Sequence, residues 1–371
     1  MIKYFLFRGV LRCVVFLFTF LFFFNAKGQP KLTDDLDVSA TYHYGYMLPE
    51  YSSILYLVDD PVRSFSLNFS KKTRGSSDWE QLYNYPEYGL SLFYSTLGNN
   101  RIHGREISVF PYFRLDILTG RRFDFYNETG MGLSYVTRKF DFRDNYLNVA
   151  VGSHLNIHFN LKLGVQYKMR QKVKLNTGVS FDHFSNSNST EPNLGLNYVT
   201  AYAGVKYRVG NETEKQVRVL KDHERNHNFE FIYSGGMKHP RAIGSELYFT
   251  SSATFEYKWE FLRMFHLGIG ADLFYDASTE AEMLTLELNN HKKLYDFRSG
   301  IHFSQEVVYN KFSIIIQEGF YLVLKDQVEQ HVMYNRGIIR YRITDRFLVQ
   351  LAMKSHVHIL DYPEIGVGIR W

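Results

Sequence analysis

A serine, a histidine and a carboxamide held close together are the parts of an acyl-transfer site, and one stretch of the sequence carries all three. It runs Asp182-His183-Phe184-Ser185-Asn186-Ser187-Asn188-Ser189-Thr190-Glu191-Pro192-Asn193-Leu194-Gly195-Leu196-Asn197. If its two arms are strands, His183 and Ser185 leave the same face, because side chains two apart share a side. A hairpin symmetric about Thr190 then sets Asn197 across from His183, with Cβ atoms about 5 Å apart. In that arrangement Ser185 attacks an acyl carbonyl, His183 takes its proton and returns it to the leaving alcohol, and Asn197 orients the imidazole through its other nitrogen. A neutral Asn stabilises an imidazolium less than a carboxylate does, so modest turnover is expected. The backbone N–H groups of Asn186 and Ser187, or the Asn193 amide, are candidates for an oxyanion hole. A His and a Ser at a strand end also suit an ordinary water–membrane rim, so spacing alone leaves a bland reading open.

The elements that must position these residues have a period of two. Val173, Leu175, Thr177, Val179, Phe181, His183 and Ser185 alternate with Lys174, Asn176, Gly178, Ser180, Asp182 and Phe184. One face is mostly apolar, the other mostly polar, which is a strand signature. The same alternation runs from Asn197 to Val209 and from Ile365 to Trp371. Strands are expected at 37–48, 62–71, 87–96, 105–116, 122–137, 154–169, 173–186, 195–209, 227–238, 246–260, 264–276, 295–310, 312–325, 331–344, 346–358 and 362–371. Many are long, and Tyr and Phe gather near their ends. Lipid on the apolar face explains both, and a sheet in lipid must close on itself to satisfy its backbone. The expected fold class is all-β, one transmembrane antiparallel β-barrel of about 14 to 16 strands. With both termini periplasmic, connections after even-numbered strands should be short. Most are, but 72–86 and 210–226 are long on that side. Trp371, closing an alternating strand, is similar to the C-terminal aromatic signal of outer-membrane barrels.

Composition narrows the class further. The chain has 371 residues, a formal net charge of +5 and one cysteine, with 28 Tyr and 32 Phe. The charge is dispersed with no basic block, so nucleic acid is not an expected partner. Residues 1–28 read as a cleaved signal peptide: Lys3, Arg8 and Arg12, then an apolar stretch from Cys13 to Phe24, then Ala26-Lys27-Gly28 before Gln29. Residues 29–371 would form the barrel, in the outer membrane. The single cysteine, Cys13, lies within the signal, which removes thiol catalysis, cysteine-bound zinc and a disulfide scaffold.

The run His183-x-Ser185-Asn186, followed by Pro192-Asn193-x-Gly195 and a polar residue at 197, resembles the active-site segment of the outer-membrane lipid A 3-O-deacylases. These barrels remove an ester-linked acyl chain from lipopolysaccharide. The resemblance implies His183 as base and Ser185 as nucleophile, in a serine esterase facing the lipid A of the outer leaflet and needing no cofactor. In that family a Glu stands where this sequence has Asn197. Outer-membrane phospholipase A is also similar here, with an Asn at that position, and likeness to it implies calcium and a homodimer instead. The deacylase resemblance covers residues 30–209, with Tyr85-Pro86-Glu87-Tyr88-Gly89 a further match. Residues 210–371 are read as additional strands of one larger barrel.

Other candidates carry less. Arg101, His103, Arg105, Arg138, Lys139 and Arg143 fall in expected outside loops, where cations suit lipid A phosphates or simply face water. Asp222 to His227 lacks a repeated metal-ligand spacing, and His356 and His358 read as an ordinary rim, so no metal is expected. A solute pore and an inactive lipopolysaccharide binder are the non-enzymatic alternatives.

Overall fold

The computed structural model describes residues 33–49, 51–187, 189–220, 225–240, 246–356 and 359–371. The signal segment at 1–28, Asn188, Asp222 to Glu224 and His358 lie outside the described residues. Sixteen antiparallel strands form: β1 (Leu36–Met47), β2 (Val62–Lys72), β3 (Glu87–Thr96), β4 (Arg105–Thr119), β5 (Phe123–Val136), β6 (Leu155–Lys168), β7 (Val173–Ser185), β8 (Leu196–Arg208), β9 (His227–Lys238), β10 (Tyr248–Leu262), β11 (Phe265–Asp276), β12 (Phe297–Tyr309), β13 (Phe312–Tyr321), β14 (Met333–Arg342), β15 (Phe347–His356) and β16 (Ile359–Arg370). Each coincides with an expected strand to within a few residues.

The closure differs from the expectation. The strands make two barrels of eight, not one of 14 to 16: β1 pairs with β8, and β9 pairs with β16. The seam of the first runs from Asp37 opposite Arg208 to Met47 opposite Tyr198. Residues 210–371 are therefore not extra wall of the first barrel but a second closed cylinder. Alternation reports which face a residue takes, and it is the same whether a strand pairs with its neighbour or closes a ring.

The alternation sorts the residues as lipid demands. Outward positions such as Tyr42, Tyr44, Tyr46, Val179, Val205, Phe255 and Ile314 are exposed, while the inward ones are buried and mostly polar, with an apolar cluster that includes Phe93, Phe110, Phe184 and Tyr198. Eight strands leave a bore just wide enough for side chains, so the polar interior must pair with itself. In the first barrel Lys206 Nζ lies 2.6 Å from Glu87 Oε2, His158 lies between Glu106 and Asp182 at 2.8 and 2.9 Å, and Arg114 stacks 3.6 Å over the Tyr126 ring. In the second, Lys258 pairs with Glu306, His302 with Asp272, and Arg340 with Glu230. These filled interiors give a solute pore no support.

The two connections that broke the turn-length rule meet at the junction of the barrels. After β2, a short helix α1 (Asp78–Leu82) is organised by Glu80, whose carboxylate accepts from the N–H groups of Arg74, Gly75 and Ser76 at 3.2, 2.7 and 2.9 Å. This excursion holds the linker after β8: Gln216 N donates to Arg74 O at 2.7 Å, Arg74 Nη1 to Glu212 at 2.9 Å, and Lys215 sits 4.4 Å over the Tyr85 ring. It also reaches the second barrel. Tyr83 stacks on Tyr309 with centroids 4.6 Å apart and donates its O–H to Val308 O at 2.8 Å, and Arg263 pairs with Asp78 at 2.5 Å. Phe113, outward on β4, meets Tyr309 edge-on.

Two outcomes follow from this architecture. A protease site inserted between the exposed residues Val219 and Leu220 should, after cutting, yield two fragments that each keep heat-modifiable gel migration; one wall of sixteen strands would lose it. Asp35 and Glu212 are both held below the ordinary carboxyl range: burial opposes this in each, and hydrogen bonds from Arg74 prevail. A lowered native pKa means stability that is present above the unfolded value and lost as pH falls through the native one. Hydrogen exchange of residues 211–218, corrected for intrinsic rate, should therefore quicken only as pH drops below about 4.

Candidate functional site

β7 and β8 bring the three residues together at the end of the barrel opposite the short turns. Their register places His183 directly across from Asn197. His183 Nδ1 lies 2.7 Å from Asn197 Oδ1, and His183 Nε2 lies 3.2 Å from Ser185 Oγ. A carboxamide oxygen only accepts, so Nδ1 carries the proton. Nε2 is then the acceptor for the Ser185 hydroxyl, the state a general base requires. All three are half-buried on the outward face, whereas Asp182, Phe184 and Tyr198, which alternate with them, are buried inside. The β6 register adds Phe159 beside His183 and Ile157 beside Ser185. The trio is thus a polar patch in an apolar wall, where polar groups cost free energy unless they bond one another.

The β7–β8 connection explains the rest of the motif. Gly195 has a φ of +71°, and a Cβ there would stand 3.1 Å from His183 Cε1, so the imidazole rests on bare backbone. Asn186 is an organiser of the loop: its N–H donates to Asn193 Oδ1 at 2.9 Å, its Nδ2 to Thr190 O, and its Oδ1 accepts from Ser189 N. The expectation that the Asn186 N–H faces an oxyanion is corrected by that bond to Asn193. With its oxygen engaged, Asn193 retains its NH₂ as a donor, and Ser187, buried at positive φ, follows Asn186 in the turn.

A contribution the sequence did not suggest comes from the β5–β6 connection. Leu194 N and Gly195 N donate to Val149 O and Ala150 O at 3.4 and 3.0 Å, and a Cβ on Gly152 would meet Pro192 O at 2.6 Å. The small residues at 150 and 152 were the only signal for this close approach. Arg101, Arg105, Arg138 and Lys139 are exposed on the β3–β4 and β5–β6 connections and on the first residue of β4, and none bonds the trio. His103 is buried, with Nδ1 3.2 Å from Leu97 O, so it is not an available loop cation. In the second barrel the matching strand pair, β15 and β16, sets Ser355 opposite Leu360 and Met353 opposite Pro363, with no such trio there among the described residues.

The fold and its outward polar trio define a membrane-spanning antiparallel β-barrel protein of the outer-membrane kind, doubled in one chain. The family model described as lipid A 3-O-deacylase (PagL) matches residues 63–206, and the one described as acyloxyacyl hydrolase, C-terminal domain (PagL_C) matches residues 227–371. The two matches together support a PagL-like lipid A 3-O-deacylase family. It is 29% identical over 151 residues, 40% of this chain and 78% of the relative, to lipid A deacylase PagL of Bordetella bronchiseptica. Among solved structures, the outer membrane enzyme PagL is similar at 16% identity and a TM-score of 0.29, over 45% of this chain and 97% of that one. Neisserial surface protein A is similar at 14% identity and a TM-score of 0.32, over 47% and 97%.

The geometry fixes a spectroscopic outcome. Nitrogen NMR of labelled protein in detergent micelles should find neutral His183 protonated at Nδ1. Asn197→Leu should erase that preference while heat-modifiable migration is unchanged.

Proposed function

We propose that this protein is an outer-membrane serine esterase that hydrolyses an ester-linked acyl chain of lipid A. The observation that carries the reading is the His183 imidazole, bonded on one side to Ser185 and on the other to Asn197, on the lipid-facing wall. Ser185 Oγ attacks the ester carbonyl while His183 Nε2 accepts its proton. The tetrahedral intermediate collapses with that proton passing to the departing sugar oxygen, and water, activated by the same nitrogen, frees the acyl chain as a carboxylic acid. The Asn193 NH₂ and the Ser187 N–H are the donors best suited to the oxyanion. Phe159 and Ile157 offer an apolar flank for the acyl chain. Arg101, Arg105, Arg138 and Lys139 stand on the same end of the barrel, where lipid A phosphates lie, and Coulomb attraction there would hold the headgroup.

Asn197 favours a second reading, hydrolysis of phospholipid, because a neutral amide in this position is the third member in outer-membrane phospholipase A. In that reading calcium and a homodimer are implied. Pro192, Asn193 and Gly195, together with the matches to the deacylase family models, favour lipid A.

Mass spectrometry of lipids from cells with and without the protein separates these outcomes. Loss of one acyl chain from lipid A supports the first reading, and accumulation of lysophospholipid supports the second. Ser185→Ala should lower activity by about 10³-fold or more with folding intact. A carboxylate at position 197 would stabilise the imidazolium, so Asn197→Glu should raise turnover roughly tenfold, about 1.4 kcal/mol of barrier. Unchanged lipids in wild-type cells, or full activity in Ser185→Ala, would overturn the esterase.

A further inference from the structure

The second barrel has its own unassigned cluster at the end away from the short turns. There the β13–β14 connection folds back over the bore and brings Asp326 and His331 to His356, the last residue of β15. One ligand atom from each of the three lies within 4.8 Å of the others. The His331 and His356 rings are stacked face to face, 4.2 Å apart and 5° from parallel.

Asp326 and His356 are each anchored by neighbouring groups. Asp326 Oδ1 accepts from Arg298 Nε and Val328 N, both at 3.2 Å, and Oδ2, which accepts from His331 N at 3.2 Å, lies 3.1 Å from His331 Nδ1. His356 Nε2 lies 2.9 Å from the Tyr321 hydroxyl and 3.4 Å from Lys354 Nζ. Its Nδ1 is buried and has no hydrogen-bond partner among the described residues. Asp361 Oδ2, the nearby carboxylate oxygen, is 3.9 Å away, beyond bonding range. A buried ring nitrogen with nothing to bond, on an imidazole whose other nitrogen is anchored, is how metal-ligating histidines are held. Glu329 adds a carboxylate 3.4 Å from His331 Nδ1.

Around the cluster, Lys238 pairs with Asp276, Glu282 and Asp361, Arg298 with Asp276 and Asp326, and Lys354 with Asp361.

We infer that Asp326, His331 and His356 bind one divalent transition-metal ion of the zinc class, with Glu329 or water as fourth ligand. Two imidazole nitrogens and one carboxylate oxygen suit zinc, nickel or copper and exclude a preference for calcium or magnesium. Bonds of about 2.0 Å hold tetrahedral ligands roughly 3.3 Å apart, and an imidazole ligates in its own plane, so binding turns His331 out of its parallel stack on His356 and draws the connection onto the barrel rim. On binding, the His331 and His356 ligand nitrogens lose any proton to solvent, and the His356 Nε2–H donates to Tyr321. The ion is structural here and takes no part in the chemistry at Ser185.

The test uses full-length protein in detergent, stripped with chelator and titrated with zinc and with cobalt(II). Expected are one equivalent bound, a cobalt spectrum of tetrahedral type, and slower exchange of residues 322–332. His331→Ala, in a half-buried loop position, and Asp326→Asn should each weaken zinc by about 100-fold or more, whereas His227→Ala at the opposite end should not. Binding that is unchanged in His331→Ala and Asp326→Asn, or reduced equally by His227→Ala, would overturn the site. Heat-modifiable migration of every variant separates lost ligation from lost folding, and none of these readouts involves lipid hydrolysis.

Discussion

No backbone amide can be left unbonded in hydrocarbon, and everything else in this molecule is arranged around that requirement. An open sheet in lipid would leave two rows of unsatisfied N–H and C=O groups, each costing several kcal/mol. Sixteen strands in one chain meet the requirement by closing twice, through β1 on β8 and β9 on β16. Closure at eight strands then dictates the interior. The bore is too narrow to hold bulk water, so Glu87 with Lys206 and Asp272 with Arg336 neutralise one another inside.

Against that apolar outer surface, a histidine, a serine and an asparagine pointing outward stand out because the fold gives them no reason to be there. Their cost is limited by their mutual hydrogen bonds and by their place at the rim. The surrounding loop is built to hold them: Asn186 knits the turn together, and the β5–β6 connection carries Gly195 so that the imidazole lies on it. The second barrel docks through β4 and the β2–β3 excursion, half-way around the cylinder from β8 and near its other end. The wall bearing Ser185 is thereby left open to lipid.

How much of this could be read from the chain depends on how local each feature is. All sixteen strands were legible, because period-two alternation is written into each segment by itself. The pairing of His183 with Asn197 was legible for the same reason, since a short hairpin fixes its own register. Closure was not: whether β8 returns to β1 or continues to β9 is decided between residues far apart, and alternation is identical in both cases. The trace it left was the length of 72–86 and 210–226, which a single barrel with short turns could not explain and a junction at Tyr83 does. Ala150 under Gly195, and Asp326 and His331 meeting His356, depend on loops folding across the barrel ends, and no periodicity records such contacts.

Double closure also bears on how the chain is assembled. The seam that joins Asp37 to Arg208 spans 171 residues, rather than the whole stretch from β1 to β16 that a single sixteen-strand ring would have to bring together. Searching for a partner costs entropy that grows with the loop being closed, and distant pairings slow folding. The N-terminal cylinder can therefore be finished and sealed while its companion is still unthreaded. A mutation that stalls insertion of the later half need not unravel the earlier one.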